Sequence, residues 1–357
     1  MKRKVKYFII TIVSIGLGYS QTLSETMETM VKKNTQGYLG PMVTAFGMGL
    51  NSGTYHNAKP HKLLGFDFKL GVSMTTITDD GKTFDFVLPD ADIPLSFTID
   101  GATHPISVNP VDVYGSNRTS STMFGDTTRN AIEVNTDAAI DIIAGQLATS
   151  TGFSEAEIKT MYNSEITSAI EDNIPTIYTP PGFNLPAVPM VVPQVSIGLI
   201  KDIELTFRGM PAVPIGDMGE FTFSGFGGKI GLNQFIPIPS IALPRIALGY
   251  YMTNLAVGDM IKMKNSIITL QASKSIPFLT VYGGFGLENS SLDISYTYID
   301  GDDTMPINVP IKFTLEGENK FRTTIGARLK LAIITINADY NIGEFNTVNF
   351  GAGLTLR

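Results

Sequence analysis

A chain of 357 residues, 43% hydrophobic and only 17% charged, is too long for a minimal domain and too apolar to stay disordered. Its net charge of −7 and pI near 5.1, with no basic cluster beyond the first six residues, exclude a nucleic-acid binder. Cysteine is absent, which excludes lipoprotein attachment, thiolate metal centres and a disulfide framework.

Residues 1–20 read as a secretory signal. Lys2, Arg3, Lys4 and Lys6 are basic, Phe8 to Leu17 is apolar, and Gly18-Tyr19-Ser20 suits cleavage near Gln21. That apolar run is well short of the roughly 20 residues a spanning helix needs. Thr22 to about Lys33 is predicted as a short amphipathic helix, with Leu23, Met27, Met30 and Val31 on one face and Glu25 and Glu28 near its start. A second apolar stretch, Leu39 to Leu50, starts with Gly40-Pro41 and runs into a glycine-rich turn ending at Gly53. Residues 21–62 are thus expected to form an amino-terminal helical element that packs in or beneath a barrel.

Gly65 to Ile77 is the first predicted strand: Phe66, Phe68, Leu70, Val72 and Met74 alternate with Asp67, Lys69, Gly71 and Ser73. From 79 to 193 the pattern changes to an insert. Short β-like runs at Thr83 to Val87, Leu95 to Ile99 and Pro105 to Val108 precede helices over Thr136 to Leu147 and from Ser154 to about Asn173. Ser154 is the expected N-cap of the second, with Phe153 and Ile158 as its hydrophobic staple. Ile174 to Pro193 carries six prolines and is expected to be an extended connector, unable to form helix or central strand.

The rest of the chain is a series of period-2 segments of about 10 residues, the length and alternation of transmembrane β-strands. They are predicted at Val195 to Phe207, Glu220 to Asn233, Pro244 to Leu255, Asn265 to Ser273, Phe278 to Glu288, Ser290 to Tyr298, Pro310 to Gly317, Lys320 to Leu331, Ile333 to Tyr340 and Thr347 to Arg357. In Lys320 to Leu331, Ile325, Ala327, Leu329 and Leu331 form a greasy face and Arg322, Thr324, Gly326, Arg328 and Lys330 a wet one. The expected fold is an all-β antiparallel transmembrane barrel of roughly 10–14 strands over residues 63–357, with a plug-like amino-terminal element and a partly helical insert. The final strand ends in Arg357, where an aromatic residue is the common assembly signal.

Asn51 to Lys62, followed by Gly65-Phe66-Asp67, together with Ala338 to Asn346, resembles an uncharacterised family of bacterial outer-membrane barrel proteins. In outline the chain is also similar to the long-chain fatty-acid transporter family: signal peptide, amino-terminal element able to plug a barrel, then a mid-sized barrel. No motif of that family matches closely enough to carry residues across.

Candidate chemistry is sparse. Of three histidines, His56 and His61 lie five apart in a loop, a spacing that fixes no shared face, and Asp67 could join them on a metal. A structural role is the commoner outcome, so neither a metal nor another cofactor is expected. No nucleophile elbow, phosphate loop or zinc-protease motif occurs, and an enzyme is not expected. Asn51, Tyr55, His56, Lys59 and His61 are the candidates for sealing the lumen by hydrogen bonds to the wall. Asp202, Glu204, Arg208, Arg322, Arg328 and Lys330 are the lumen-lining candidates, setting solute preference in an open pore or pairing across a plugged one. The leading expectation is a bacterial outer-membrane channel or transporter for small amphipathic or apolar solutes, with membrane lipid as its surroundings. The alternative is a non-conducting scaffold or adhesin barrel that binds a partner through residues 79–193.

Overall fold

The computed structural model describes residues 21–214, 219–235, 243–300 and 307–356, so the predicted signal segment lies outside the described residues. The chain divides into two compact units: residues up to Tyr38 with Asp80–Asn184, and Leu39–Asp79 with Leu185–Arg357.

The first described element is a 31-residue helix, α1 (Gln21–Asn51), whose residues fall in both units. This corrects the expectation of a helix ending near Lys33, because α1 continues through Gly37, Gly40-Pro41, Gly47 and Gly49. Local propensity disfavours such a helix by about 1 kcal/mol per glycine and more for proline. What decides the matter is packing. A Cβ on Gly47 would lie 2.7 Å from Ser290 Cβ, and one on Gly49 would lie 2.9 Å from Met190 Cγ, so these glycines let the helix backbone approach neighbouring side chains. Gly53, at φ 64°, follows the helix end in the left-handed conformation that only glycine adopts without strain.

After β1 (Phe66–Thr76) the chain enters the insert. Its strands are β2 (Thr83–Asp85), β3 (Ile93–Ile99), β4 (Ala102–Val108), β5 (Thr119–Ser121), β6 (Ala131–Ile132) and β7 (Ile177–Tyr178), paired as three short antiparallel ribbons, β2–β5, β3–β4 and β6–β7. The helices are α2 (Pro110–Val113), α3 (Thr136–Thr151) and α4 (Glu155–Asn173). Phe97, Val108, Ile143, Leu147, Ile158 and Ile166 belong to one buried cluster, each aliphatic side chain contributing about 1.5–3 kcal/mol on burial. The unit therefore has its own hydrophobic core.

Ser154 caps α4 as its sequence predicts. Glu157 N donates to Ser154 Oγ at 3.3 Å, and Ser154 N donates to Glu157 Oε2 at 2.9 Å, closing a capping box. Ser154 Oγ, donating to Glu157 Oε2 at 2.7 Å, and Ser154 N together hold the Glu157 carboxyl below its ordinary range. Their stabilisation is therefore present above the unfolded carboxylate pKa and is lost as pH falls through the depressed folded value. Ser154→Ala is expected to cost about 1 kcal/mol, read as faster amide hydrogen exchange in the first turn of α4. Unchanged exchange there would count against the cap.

The barrel unit holds β1, β8 (Ala187–Gly198), β9 (Ile203–Pro214), β10 (Glu220–Gly231), β11 (Arg245–Val257), β12 (Ile261–Ile276), β13 (Leu279–Asp300), β14 (Ile307–Glu316), β15 (Phe321–Leu331), β16 (Ile334–Ile342) and β17 (Asn346–Leu356). Ten of them form a closed antiparallel ring in the order β12-β11-β10-β9-β8-β1-β17-β16-β15-β13, closed by the pairing of β13 with β12. β14 is an eleventh strand that pairs with Ser291–Asp300 of β13, beyond the stretch that pairs with β15.

Three sequence expectations change here. The predicted strand Val195 to Phe207 is two strands, split by a turn in which Lys201 and Asp202 have φ 59° and 49°, the positive values of a tight hairpin. Phe278 to Glu288 and Ser290 to Tyr298 are one 22-residue strand, β13. The expected connector supplies Ala187–Pro193 of β8, despite Pro189 and Pro193. That stretch pairs with β1 but lies outside the β8–β9 pairing, which covers only Gln194–Gly198, so the missing proline N–H groups can face an unpaired edge.

Candidate functional site

The barrel inverts the polarity of a water-soluble protein. Phe68, Leu270, Ile325 and Leu354 are 47–60% exposed on the outside, while Asp67, Gln194, Thr206, Asn265, Thr324 and Asn349 are buried on the inside. The strand period fixes this outcome, because every second residue must face inward. The interior is the candidate site.

Residues 39–62 make the contacts that fill it. The last turns of α1 end in carbonyls without intrahelical partners, and the wall supplies donors. Arg322 Nη2 donates to Met48 O at 2.7 Å, Ser73 Oγ to Gly49 O at 3.1 Å, Arg208 Nη1 to Leu50 O, and Arg208 Nη2 to Ser52 O at 2.7 Å. Lys69 Nζ donates to Gly53 O, and Gln194 Nε2 to Thr54 O at 3.2 Å. Three wall cations thus gather at the helix carboxy terminus, where the macrodipole places about half a negative charge.

The loop that follows is held just as closely. Lys229 Nζ donates to Asn57 O at 2.7 Å and pairs with Glu204 at 3.1 Å; Glu204 also accepts from the His61 backbone N–H at 2.9 Å. Ala58 N donates to Ser273 Oγ at 3.0 Å. His56 Nε2 lies 3.4 Å from Asp67, and Tyr55 meets Tyr282 edge-on with ring centroids 5.9 Å apart. Tyr282 Oη donates to Asp339 at 2.8 Å, and Asn349 and Asn341 donate to the same carboxylate at 2.7 and 2.8 Å. Arg322 Nε pairs with Glu288 at 2.6 Å.

Among the described barrel residues, the buried charges are five cationic (Lys69, Arg208, Lys229, Arg322, Arg328) and four carboxylate (Asp67, Glu204, Glu288, Asp339). Three of the cations face the negative end of α1, so the interior is close to electrically balanced. Balance of this kind is what burial of charge requires.

Of the lumen candidates, Glu204, Arg208, Arg322 and Arg328 are buried inside, and three of these bond to residues 48–61 or to Glu288. Asp202 is not in the lumen: it lies exposed in the β8–β9 turn, because the strand ends before it. Lys330 is half-buried near the end of β15. Of the loop candidates, Asn51, Tyr55 and His56 are buried and His61 half-buried, whereas the Lys59 side chain is exposed. Asn51 Nδ2 donates to Ser266 O at 3.5 Å. Sequence reasoning alone misses Lys69, Lys229, Glu288, Tyr282 and Asp339. Their signal is available in retrospect: each sits in the inward, polar phase of its strand. His104 belongs to the insert and lies 3.0 Å from Ser150 Oγ. Among the described residues no cluster of three or more His, Asp or Glu side chains could hold a metal ion, and no helix is long and apolar enough to cross a membrane.

A comparison with curated proteins finds no match. Similar solved structures include Ail, the attachment invasion locus protein of Yersinia pestis, in complex with the heparin analogue sucrose octasulfate, at 7% identity and TM-score 0.21 over 82% of this chain and 98% of that one. Another is a loop L8 deletion mutant of OmpT, an outer membrane protein of Vibrio cholerae, at 12% identity and TM-score 0.23 over 82% of this chain and 100% of that one. TM-scores this low assign nothing to this chain. A family model described as a family of unknown function, DUF6588, matches residues 1–356, and the chain belongs to that family.

Proposed function

We infer that this protein is an outer-membrane β-barrel whose lumen is occluded by its own residues 39–62, a non-conducting scaffold that anchors the insert at the membrane. Its exterior supports the membrane location: soluble monomers rarely expose apolar patches beyond a few hundred Å², and here the outward phase of strand after strand is apolar. Strands of 9 residues or more satisfy the roughly 9–11 needed to cross, and a closed ring leaves no backbone edge in lipid. The signal expected at residues 1–20 is in keeping with export.

The observation that carries the occlusion is the bonding of Arg322 and Arg208 to the last carbonyls of α1, and of Arg208 and Lys69 to Ser52 O and Gly53 O just beyond it. Hydrogen bonds with a charged donor contribute about 1.5–3 kcal/mol each, so withdrawal of the segment breaks several at once and strands buried cations. A channel or transporter for small amphipathic or apolar solutes, suggested by the outline likeness to fatty-acid transporters, needs that withdrawal. It also needs an apolar path, whereas the inward side chains are mainly polar. On the scaffold reading, partner recognition falls to residues 79–193.

Planar-bilayer recording tests the occlusion. Protein extracted from the outer-membrane fraction is expected to insert without stepwise conductance, and a variant lacking residues 22–62 to give conducting steps. Open steps from the intact chain, or a deletion variant that inserts and stays silent, would sink the occlusion; recovery in the soluble periplasm would sink the location.

A further inference from the structure

The segment before β1 runs lengthwise through the barrel, and the order of its contacts gives the direction. Glu318 N, in the link between β14 and β15, donates to Thr44 Oγ1 at 2.9 Å, and Phe345 N, in the β16–β17 turn, donates to Met48 Sδ at 3.4 Å. Gly53, part-way along, lies against Asn349 of β17 and accepts from Lys69 of β1. Ala58 N donates to Ser273 Oγ near the end of β12, and Leu64 N donates to the carbonyl of Gly198, the last residue of β8. The segment therefore enters at the end where β15 and β17 begin and leaves at the end where β1 begins.

The strand register puts both connections to the insert at the first of these ends. Thr76 pairs with Asn346 of β17 and with Ala187 of β8, so the chain departs for the insert and returns from it there, whereas Phe66 pairs with Leu356 and Ile197 at the other end. A barrel whose first strand starts at the turn end keeps its preceding residues at that end unless they double back through the lumen. Here they do. The helical residues Leu39–Asn51 cover about 20 Å at about 1.5 Å per residue, and the irregular stretch to Lys62 covers the remainder of a hydrocarbon core about 30 Å thick. We propose that the barrel carries residues 21–38 across the outer membrane through its own lumen and displays them, with the insert, on the cell surface.

The choice of side rests on the outer-membrane reading. β8–β9, β12–β13 and β15–β16 are joined by a few residues each, the character of periplasmic turns, whereas the β1–β8 connection holds the whole insert. The crossing also completes the insert. Asn34 and Val87 exchange two hydrogen bonds of 2.8 Å, from Nδ2 to Val87 O and from Val87 N to Oδ1. Met123 N donates to Tyr38 O at 3.0 Å, and Tyr38 Oη donates to Pro181 O at 2.9 Å. Asn34 and Tyr38 are buried, so without this part of α1 the backbone groups of Val87, Met123 and Pro181 lose their partners.

The chain contains no cysteine, so single cysteines in the full-length protein report sidedness to a membrane-impermeant maleimide, applied to intact cells and again after the outer membrane is permeabilised. Lys32→Cys on α1, Glu165→Cys on α4 and Pro277→Cys in the β12–β13 turn all change exposed residues. On intact cells the first two are expected to label at least fivefold more than Pro277→Cys, and after permeabilisation all three should label alike. The heat-modifiable gel shift shows that each variant is folded; should Lys32→Cys lose it, Lys33→Cys, exposed next to it, takes its place. Labelling of Glu165→Cys on intact cells with Lys32→Cys protected would overturn the crossing and leave the scaffold reading standing. Protection of both until permeabilisation, whether or not Pro277→Cys labels, would overturn the display. Recovery of the protein from the soluble periplasm would instead overturn the membrane reading on which the display rests.

Discussion

Replacing Arg322 with methionine is expected to lower barrel stability by about 3–5 kcal/mol, the usual cost of removing one member of a buried ion pair. Arg322 is 1% exposed and Glu288 5%, and Nε lies 2.6 Å from the carboxylate. Truncation leaves Glu288 buried without a cationic partner, although Asn319 Nδ2 still donates to it at 2.6 Å. It also removes the donors to Met48 O and Ser52 Oγ, so the end of α1 loses its anchor on that side. Methionine retains most of the packing volume, which makes the loss electrostatic. Adding Glu288→Gln should then restore part of the stability, because the stranded charge is gone. Urea unfolding followed by the gel shift of the folded barrel measures both variants. A single variant within 1 kcal/mol of wild type would mean that water already reaches the pair and that the lumen is not sealed there.

Gly47→Leu should be nearly as damaging, by displacing residues 39–62 from the wall. Helix propensity alone favours the change by almost 1 kcal/mol, since glycine is among the poorest helix formers. Overpacking opposes it by about 1–3 kcal/mol or more, and here even the first added carbon would sit 2.7 Å from Ser290 Cβ. The steric cost wins because Ser290 stands on β13, paired with Asn265 of β12 and accepting a hydrogen bond from Gly317 N at 2.9 Å. Gly47→Ala with Ser290→Gly should recover most of what Gly47→Ala loses. Bilayer recordings of Gly47→Leu are expected to show openings absent from wild type. A silent, fully stable Gly47→Leu barrel would place the helix elsewhere than against β13.

Much of the barrel is legible in the sequence because strand periodicity is local. Once Phe66, Phe68 and Leu70 face one way, Asp67 and Lys69 must face the other, whatever their neighbours. The N-cap at Ser154 is equally local, since its partners lie within three residues. Where neighbours decide, local reading fails. Pro189 and Pro193 forbid a central strand but not one that is open on one side, and only the pairing register reveals that edge. Asp202 shares the strand's alternating phase on paper, yet the hairpin turn takes it out of the lumen.

By itself, then, the sequence determined the alternation, an inward polar phase and an outward apolar one, and the presence of a segment before β1 able to enter a barrel. Only the tertiary structure decided that α1 runs unbroken to Asn51 and that wall cations cap it. Glycine and proline count against a helix in water, but close backbone approach and charged donors at the helix end reverse that preference inside a closed ring. Ring closure likewise brings Lys69, Gln194, Arg208 and Arg322 around one helix terminus, a meeting of residues up to 253 positions apart in the chain that no spacing rule could disclose.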